Sequence, residues 1–255
     1  SALPTKQPYP PELVASLTRA LQSPGGSDLL RPVQAEALFE AGTVGGLFGP
    51  IKVGAGKTLI SLLLPIILKA NRPVLLLPAA LVEKTRKELE RYAVHFKVAR
   101  HLRFISYEML GRVRMKGELE RYQPDLIIAD EVHRLKNKKA ACTRRVARFM
   151  AAFPETKFAA LSGTVMKHSI KDFSHIVRWC LKDGAPGPAE QAEVDEWAEA
   201  LDDPNGQVLY PMDPGPLGAD QTQARAWFRD RLLSTPGVVA YEGKDTDASL
   251  RINAP

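Results

Sequence analysis

The sequence predicts an α/β fold built on a parallel sheet, and two observations carry that prediction. Short apolar runs alternate with longer segments of helical period, the pattern of strands buried on both faces and joined by crossover helices. Two of the runs end in polar residues suited to ligands, a glycine-rich stretch at 49–56 and an acidic pair at 130–131. Ligands gather at the carboxyl ends of parallel strands.

Taken in order, residues 11–22 and 32–41 each open on proline, which suits a first helical turn, and continue with helically spaced apolar residues. Gly46-Leu47-Phe48 is a candidate strand leading into the loop 49–56. Residues 57–70 are apolar nearly all round, as in a helix packed on a sheet, with Pro65 expected to kink or loosen it. Residues 74–77 form a strand ended by Pro78, and 81–93 an amphipathic helix. A strand at Arg103–Ser106 leads to a helical or irregular connection over 107–116. Residues 126–129 read as a buried strand, 138–153 as a basic amphipathic helix, and 158–161 as the last strand. Helices follow at Ile170–Leu181, at 189–201 (acidic, with Trp197) and at 221–233, with a Pro/Gly/Asp-rich loop at 202–219. The tail 235–255 offers a short apolar piece, 238–240, and no core of its own.

The chain has 255 residues, 45% hydrophobic and 25% charged, which excludes collagen, coiled coil and wholesale disorder. Two cysteines, Cys142 and Cys180, fall in helical segments and are expected as free thiols, and no CxxC pair exists for a zinc site. The longest apolar run, 59–68, falls short of the ~20 residues that span a bilayer, and no secretory leader is visible. The expectation is a soluble intracellular protein without a membrane partner, cytoplasmic in a bacterial or viral setting and nuclear in a eukaryotic one. The net charge of +6 is unevenly distributed. Residues 81–150 hold 18 Lys/Arg against 9 Asp/Glu, while 185–220 hold 9 Asp/Glu and no Lys or Arg. A basic middle points to phosphate attraction, as in nucleic-acid binding, or to ordinary solvated helix faces.

Three motifs carry chemistry. Gly54-Ala55-Gly56-Lys57-Thr58 lies between a strand and a helix, where backbone N–H groups and the helix N-terminus cradle phosphate. Lys57 would reach the β- and γ-phosphates and Thr58 would ligate Mg2+. Asp130-Glu131-Val132-His133 ends a buried strand; in a nucleotide site Asp130 would hold Mg2+ and Glu131 would activate the attacking water. Leu161-Ser162-Gly163-Thr164 ends another strand and suits a coupling position. Each also has a purely structural reading: a turn before a core helix, a helix cap by Asp130, and a plain turn.

Together with Leu30-Arg31-Pro32-Val33-Gln34, LLLPAALV at 75–82 and Ile105-Ser106-Tyr107-Glu108, these motifs occur in an order that resembles the first RecA-like lobe of superfamily 2 helicases. The run DEVHRLKN at 130–137 followed by LSGT is most similar to the Snf2 (SWI2/SNF2-like) branch of DNA translocases. The resemblance covers roughly residues 28–182. It implies a parallel-sheet, RecA-like P-loop NTPase lobe over 1–182, with helices on both faces. An acidic helical appendage and tail, 183–255, would lead toward a second lobe. It also implies ATP and Mg2+ as ligands. Gln34 and Arg31 would read adenine, and Gly54, Ala55, Gly56, Lys57 and Thr58 would hold the triphosphate. Lys57, Asp130 and Glu131 would carry catalysis, with Thr58 and Asp130 as metal ligands. His133, Ser162, Gly163 and Thr164 would couple nucleotide state to DNA, and Pro78, Leu81, Ser106, Tyr107, Arg134 and Lys136 would lie near the DNA backbone.

The chain departs from that pattern in places. Ile51 replaces the small first residue of the phosphate loop, Lys84-Thr85 stand where the branch has a Trp-containing pair, and Val165 replaces a common proline. No Gln-x-x-Gly-Arg-x-x-Arg string supplies the second lobe's arginines, so this piece is expected to bind ATP weakly and hydrolyse it slowly. The partners expected are duplex DNA and a second RecA-like lobe. An RNA-directed DExH helicase lobe and a non-catalytic nucleotide- or nucleic-acid-binding module are the competing readings, and a metabolic phosphoryl-transfer enzyme fits least.

Overall fold

A computed structural model describes residues 5–163, 169–202 and 221–242. Five strands, β1 (Leu47–Pro50), β2 (Pro73–Leu77), β3 (Arg103–Ser106), β4 (Leu126–Asp130) and β5 (Lys157–Ser162), form one sheet in the order β1-β5-β4-β2-β3. Every pairing is parallel. The α/β class and the parallel sheet expected from the alternating pattern are therefore present. Side chains alternate across the strands. Val74, Leu76, Ile127, Ala129, Phe158 and Ala160 enter one apolar layer, and Leu75, Leu77, Leu126, Ile128, Ala159 and Leu161 the other.

Helices cover both faces. The second layer is closed by α1 (Leu13–Leu21), α2 (Pro32–Val44), α3 (Lys57–Ile67) and α4 (Val82–Ala93). The first is closed by α5 (Tyr107–Gly111), α6 (Glu118–Tyr122), α7 (Ala141–Ala152), α8 (Ile170–Leu181), α9 (Gln191–Asp202) and α10 (Gln221–Ser234). β1 feeds a helix on one face, whereas β4 and β5 feed helices on the other. Such a reversal opens a crevice at the carboxyl ends of the strands.

Several local expectations change. The helix after the glycine-rich loop continues through Pro65 and ends at Ile67, followed by Lys69 at φ +52°. Proline has no N–H for the carbonyl four residues back, and the helix ends two residues after it. The connection expected over 107–116 is α5 plus a 3₁₀ turn at Val113–Met115. The basic helix expected from 138 begins at Ala141: a 3₁₀ turn, Val132–Leu135, follows β4, and Asn137 then closes a turn, its Oδ1 accepting from the Lys139 N–H and its carbonyl from the Ala140 N–H.

The larger correction concerns the tail. Residues 237–241 run parallel to the outer edge of β1, with bridges Phe48–Val238 and Ile51–Tyr241. Val238 and Val239 are 0% and 2% exposed and enter opposite apolar layers, so this stretch belongs to the core of the sheet. The loop expected over 202–219 lies largely outside the described residues, as do Thr164, Val165 and the chain beyond 242. Cys142 and Cys180 are free thiols, and burial pushes the Cys180 thiol up. Among the described residues, no helix is long and apolar enough to cross a membrane.

Candidate nucleotide site

Strand register brings the motifs to one place. Pro50 pairs with Ser162 and Asp130 with Leu161, so the ends of β1, β5 and β4 lie side by side. From β1 the chain passes through Ile51 into residues 52–56, where Gly54 and Gly56 adopt φ +86° and +88°. Left-handed backbone at both positions is open to glycine at little cost, and it turns the loop into the N-terminus of α3. Lys57, the first residue of α3, is 8% exposed, and its Nζ donates to the Ile51 carbonyl at 3.1 Å. Thr58 follows, half-buried.

The loop is braced from α2. The Gln34 Nε2 donates to the Gly56 carbonyl at 3.2 Å, while its Oε1 accepts from the Arg31 N–H at 2.8 Å. The Arg31 guanidinium donates to the Gly54 carbonyl at 2.8 Å. The two residues expected to read adenine thus hold the glycine-rich loop itself. Ile51, a departure in sequence, is fully buried and contributes its carbonyl to Lys57 rather than a small side chain to the loop.

The acidic pair is held from β4. Asp130 is 9% exposed, and its Oδ1 accepts from the Glu131 N–H at 3.0 Å. Burial, reinforced by the neighbouring Glu131 and opposed by Lys57, pushes the Asp130 carboxyl up to about 6. Glu131 sits at φ +53°, a strained position for a non-glycine residue, and its side chain meets two partners. The Ser162 hydroxyl donates to Glu131 Oε2 at 3.3 Å, and His133 Nδ1 lies 3.3 Å from the same oxygen and 3.2 Å from Ser162 Oγ. Burial lowers the His133 pKa, although the Glu131 charge acts the other way. Gly163 ends the described part of this motif; Thr164 lies outside the described residues.

The residues expected along DNA divide. Arg134 and Lys136 are exposed, and Leu81 is half-buried. Pro78 and Ser106 are buried, and Ser106 caps α5 by accepting from the Met109 N–H at 3.0 Å. Tyr107 is 4% exposed, and its hydroxyl donates to the Asp130 carbonyl at 2.7 Å. A tyrosine enclosed in this way is no surface contact, and its role is to fix the end of β4. Sequence reasoning missed that role, which an aromatic residue after a strand does not reveal. It also missed the bracing of the loop by the Ile51 carbonyl, since backbone acceptors leave no mark in sequence.

The residues present fit Mg2+ with a phosphate ligand. A hydroxyl and a carboxylate are hard oxygen donors, and Mg2+ uses one or two protein oxygens together with substrate phosphates. No group of three or more His, Cys, Asp or Glu among the described residues forms a cage for a metal ion. The raised pKa of Asp130 marks a buried carboxylate short of positive charge, which a cation would supply. A comparison with models of known protein families gives no match, and a comparison with curated proteins gives none either.

Proposed function

We propose that the chain binds Mg·ATP and acts as the first motor lobe of a DNA-dependent ATPase of Snf2-like type. The observation that supports this reading is the convergence, at three adjacent strand ends, of a glycine-rich loop, a buried lysine, the buried Asp130 and a Glu131 carboxylate tied to His133 and Ser162. Lys57 and the N-terminal amides of α3 would neutralise the β- and γ-phosphates. Thr58 and Asp130 would hold Mg2+, which when bound offsets charge on the transferring phosphoryl group. Glu131 would accept a proton from the attacking water, held in place by the Ser162 hydroxyl and the imidazole. His133 and Ser162 connect that carboxylate to β5, a route by which nucleotide state could reach DNA-facing segments. Arg134 and Lys136 offer exposed charge for the phosphate backbone.

Titration with a fluorescent ATP analogue tests the site directly. Binding should require Mg2+, fall at least about tenfold in Lys57→Ala and persist in Glu131→Gln. Hydrolysis by the full protein should be stimulated by duplex DNA and lost in Glu131→Gln. Absence of nucleotide binding would refute the reading, stimulation by RNA alone would replace DNA with RNA, and intact cellular function in both variants would favour a non-catalytic module.

A further inference from the structure

Behind the phosphate loop, the buried carboxylate of Glu40 joins elements far apart in sequence. Glu40 is 3% exposed on α2, and its Oε2 accepts from the Gly237 N–H at 2.6 Å. Gly237 is at φ +83°, and a Cβ there would come within 2.5 Å of Val44 and 2.6 Å of Leu181. From Gly237 the tail runs along β1. Phe48 N–H donates to the Gly237 carbonyl at 2.8 Å, Val239 N–H to Phe48 at 3.0 Å, and Tyr241 N–H to Pro50 at 3.0 Å. The last rung is the Lys52 N–H, which donates to the Tyr241 carbonyl at 2.8 Å. Lys52 opens the phosphate loop. The same helix that carries Glu40 also carries Gln34, which grips Gly56 at the loop's other end, with Arg31 on Gly54 just before it.

We infer that Glu40 is a positioning residue for the nucleotide site, clasping the 237–241 strand to α2 so that the phosphate loop is held from both ends. The loop entrance hangs on the tail strand, its exit hangs on α2, and Glu40 closes the circuit between them. Without the clasp each grip would persist, but the two would no longer be fixed relative to each other. The inference rests on the proposed phosphate-binding role of the loop only for its effect on affinity; its effect on loop dynamics is independent of any ligand.

Amide hydrogen exchange and ATP-analogue titration on the full chain test it together. In Glu40→Ala, which loses the Gly237 bond together with the bond between Glu40 and Tyr9, the amides of residues 52–57 should exchange about tenfold faster and the analogue should bind about tenfold more weakly, the scale of a lost buried hydrogen bond. Glu40→Gln, whose side-chain oxygen can still accept from Gly237, should restore both. Tyr241→Pro, which removes the N–H bonded to Pro50 together with the tyrosine side chain packed on the core, should also raise exchange at 52–57 and covers the case in which Glu40→Ala fails to fold. Val146→Ala, a core truncation in α7 remote from the clasp, serves as the control for lost stability alone. Unchanged exchange at 52–57 in Glu40→Ala and Tyr241→Pro would overturn the inference, as would an equal increase in Val146→Ala. If the wild type binds no nucleotide the phosphate reading fails, while the exchange data still decide the clasp.

Discussion

Asp130→Asn should make the metal-free protein more stable while abolishing its response to Mg·ATP. Asp130 is 9% exposed, and its carboxyl rises from an ordinary 3.8 to about 6, chiefly through burial. The folded state therefore binds a proton that the unfolded state has already released between those two values, and stability falls as pH rises through that window. The gap of about two units, at 1.36 kcal/mol each, makes the ionised carboxylate cost about 3 kcal/mol at pH 7.5 and about half of that at pH 5. Asparagine carries no charge, and its Oδ1 can still accept from the Glu131 N–H, so the variant should escape the cost without losing the turn. Urea denaturation in the presence of a chelator measures this. The variant should gain up to about 3 kcal/mol at pH 7.5, shrinking to about 1.6 at pH 5. Mg·ATP should raise the melting temperature of the wild type only. A variant no more stable than wild type at pH 7.5, or a gain independent of pH, would refute the electrostatic argument.

Two further outcomes can be checked alongside. His175 Nε2–H donates to the Leu135 carbonyl, 3.0 Å away, while its Nδ1 is buried with no hydrogen-bond partner among the described residues. Burial lowers it to about 4, with Lys138 acting in the same sense and the Leu135 bond and Asp172 against it. The unfolded chain thus takes up the proton first, and stability present at pH 7 is lost as pH falls from 6.5 through 4. Relative to His175→Gln, the wild type should lose about 2 kcal/mol between pH 7 and pH 5 in urea denaturation, and parallel profiles would count against it. Gly56→Ala and Gly45→Ala both force alanine into left-handed backbone, at about 1–2 kcal/mol each, but only at Gly56 would the new methyl collide with Gln34. Both should melt earlier, and only Gly56→Ala should lose nucleotide-analogue binding; equal binding in the two would undo the assignment of Gln34 as a brace.

The sheet and the site were legible in sequence to different depths. Strands such as Leu126–Asp130 and Pro73–Leu77 announce themselves because burial on both faces demands unbroken apolar runs. That Lys57, Asp130, Glu131 and Ser162 lie at one edge of the sheet was legible from the strand-end positions of their motifs, which parallel register brings together. Tyr107 was misread because its position after a strand end is compatible with either side of the surface, and only packing selects the inner one. The tail strand was missed because Val238 and Val239 make too short a signal without their partner β1, which lies almost two hundred positions earlier. Ile51 looked anomalous as a side chain and proved useful as a backbone acceptor.

That last separation bears on how the protein is made. Glu40 and Gly237 stand 197 positions apart. At a synthesis rate of roughly 5–20 residues per second, α2 waits about 10–40 s on the ribosome before its clasping partner is even polymerised. During that interval β1 has a bare edge, and its outward N–H and C=O groups are open to strand pairing with another chain. The late strand therefore completes the sheet beside the glycine-rich loop and, in the same act, covers an edge that had been open to pairing with another chain.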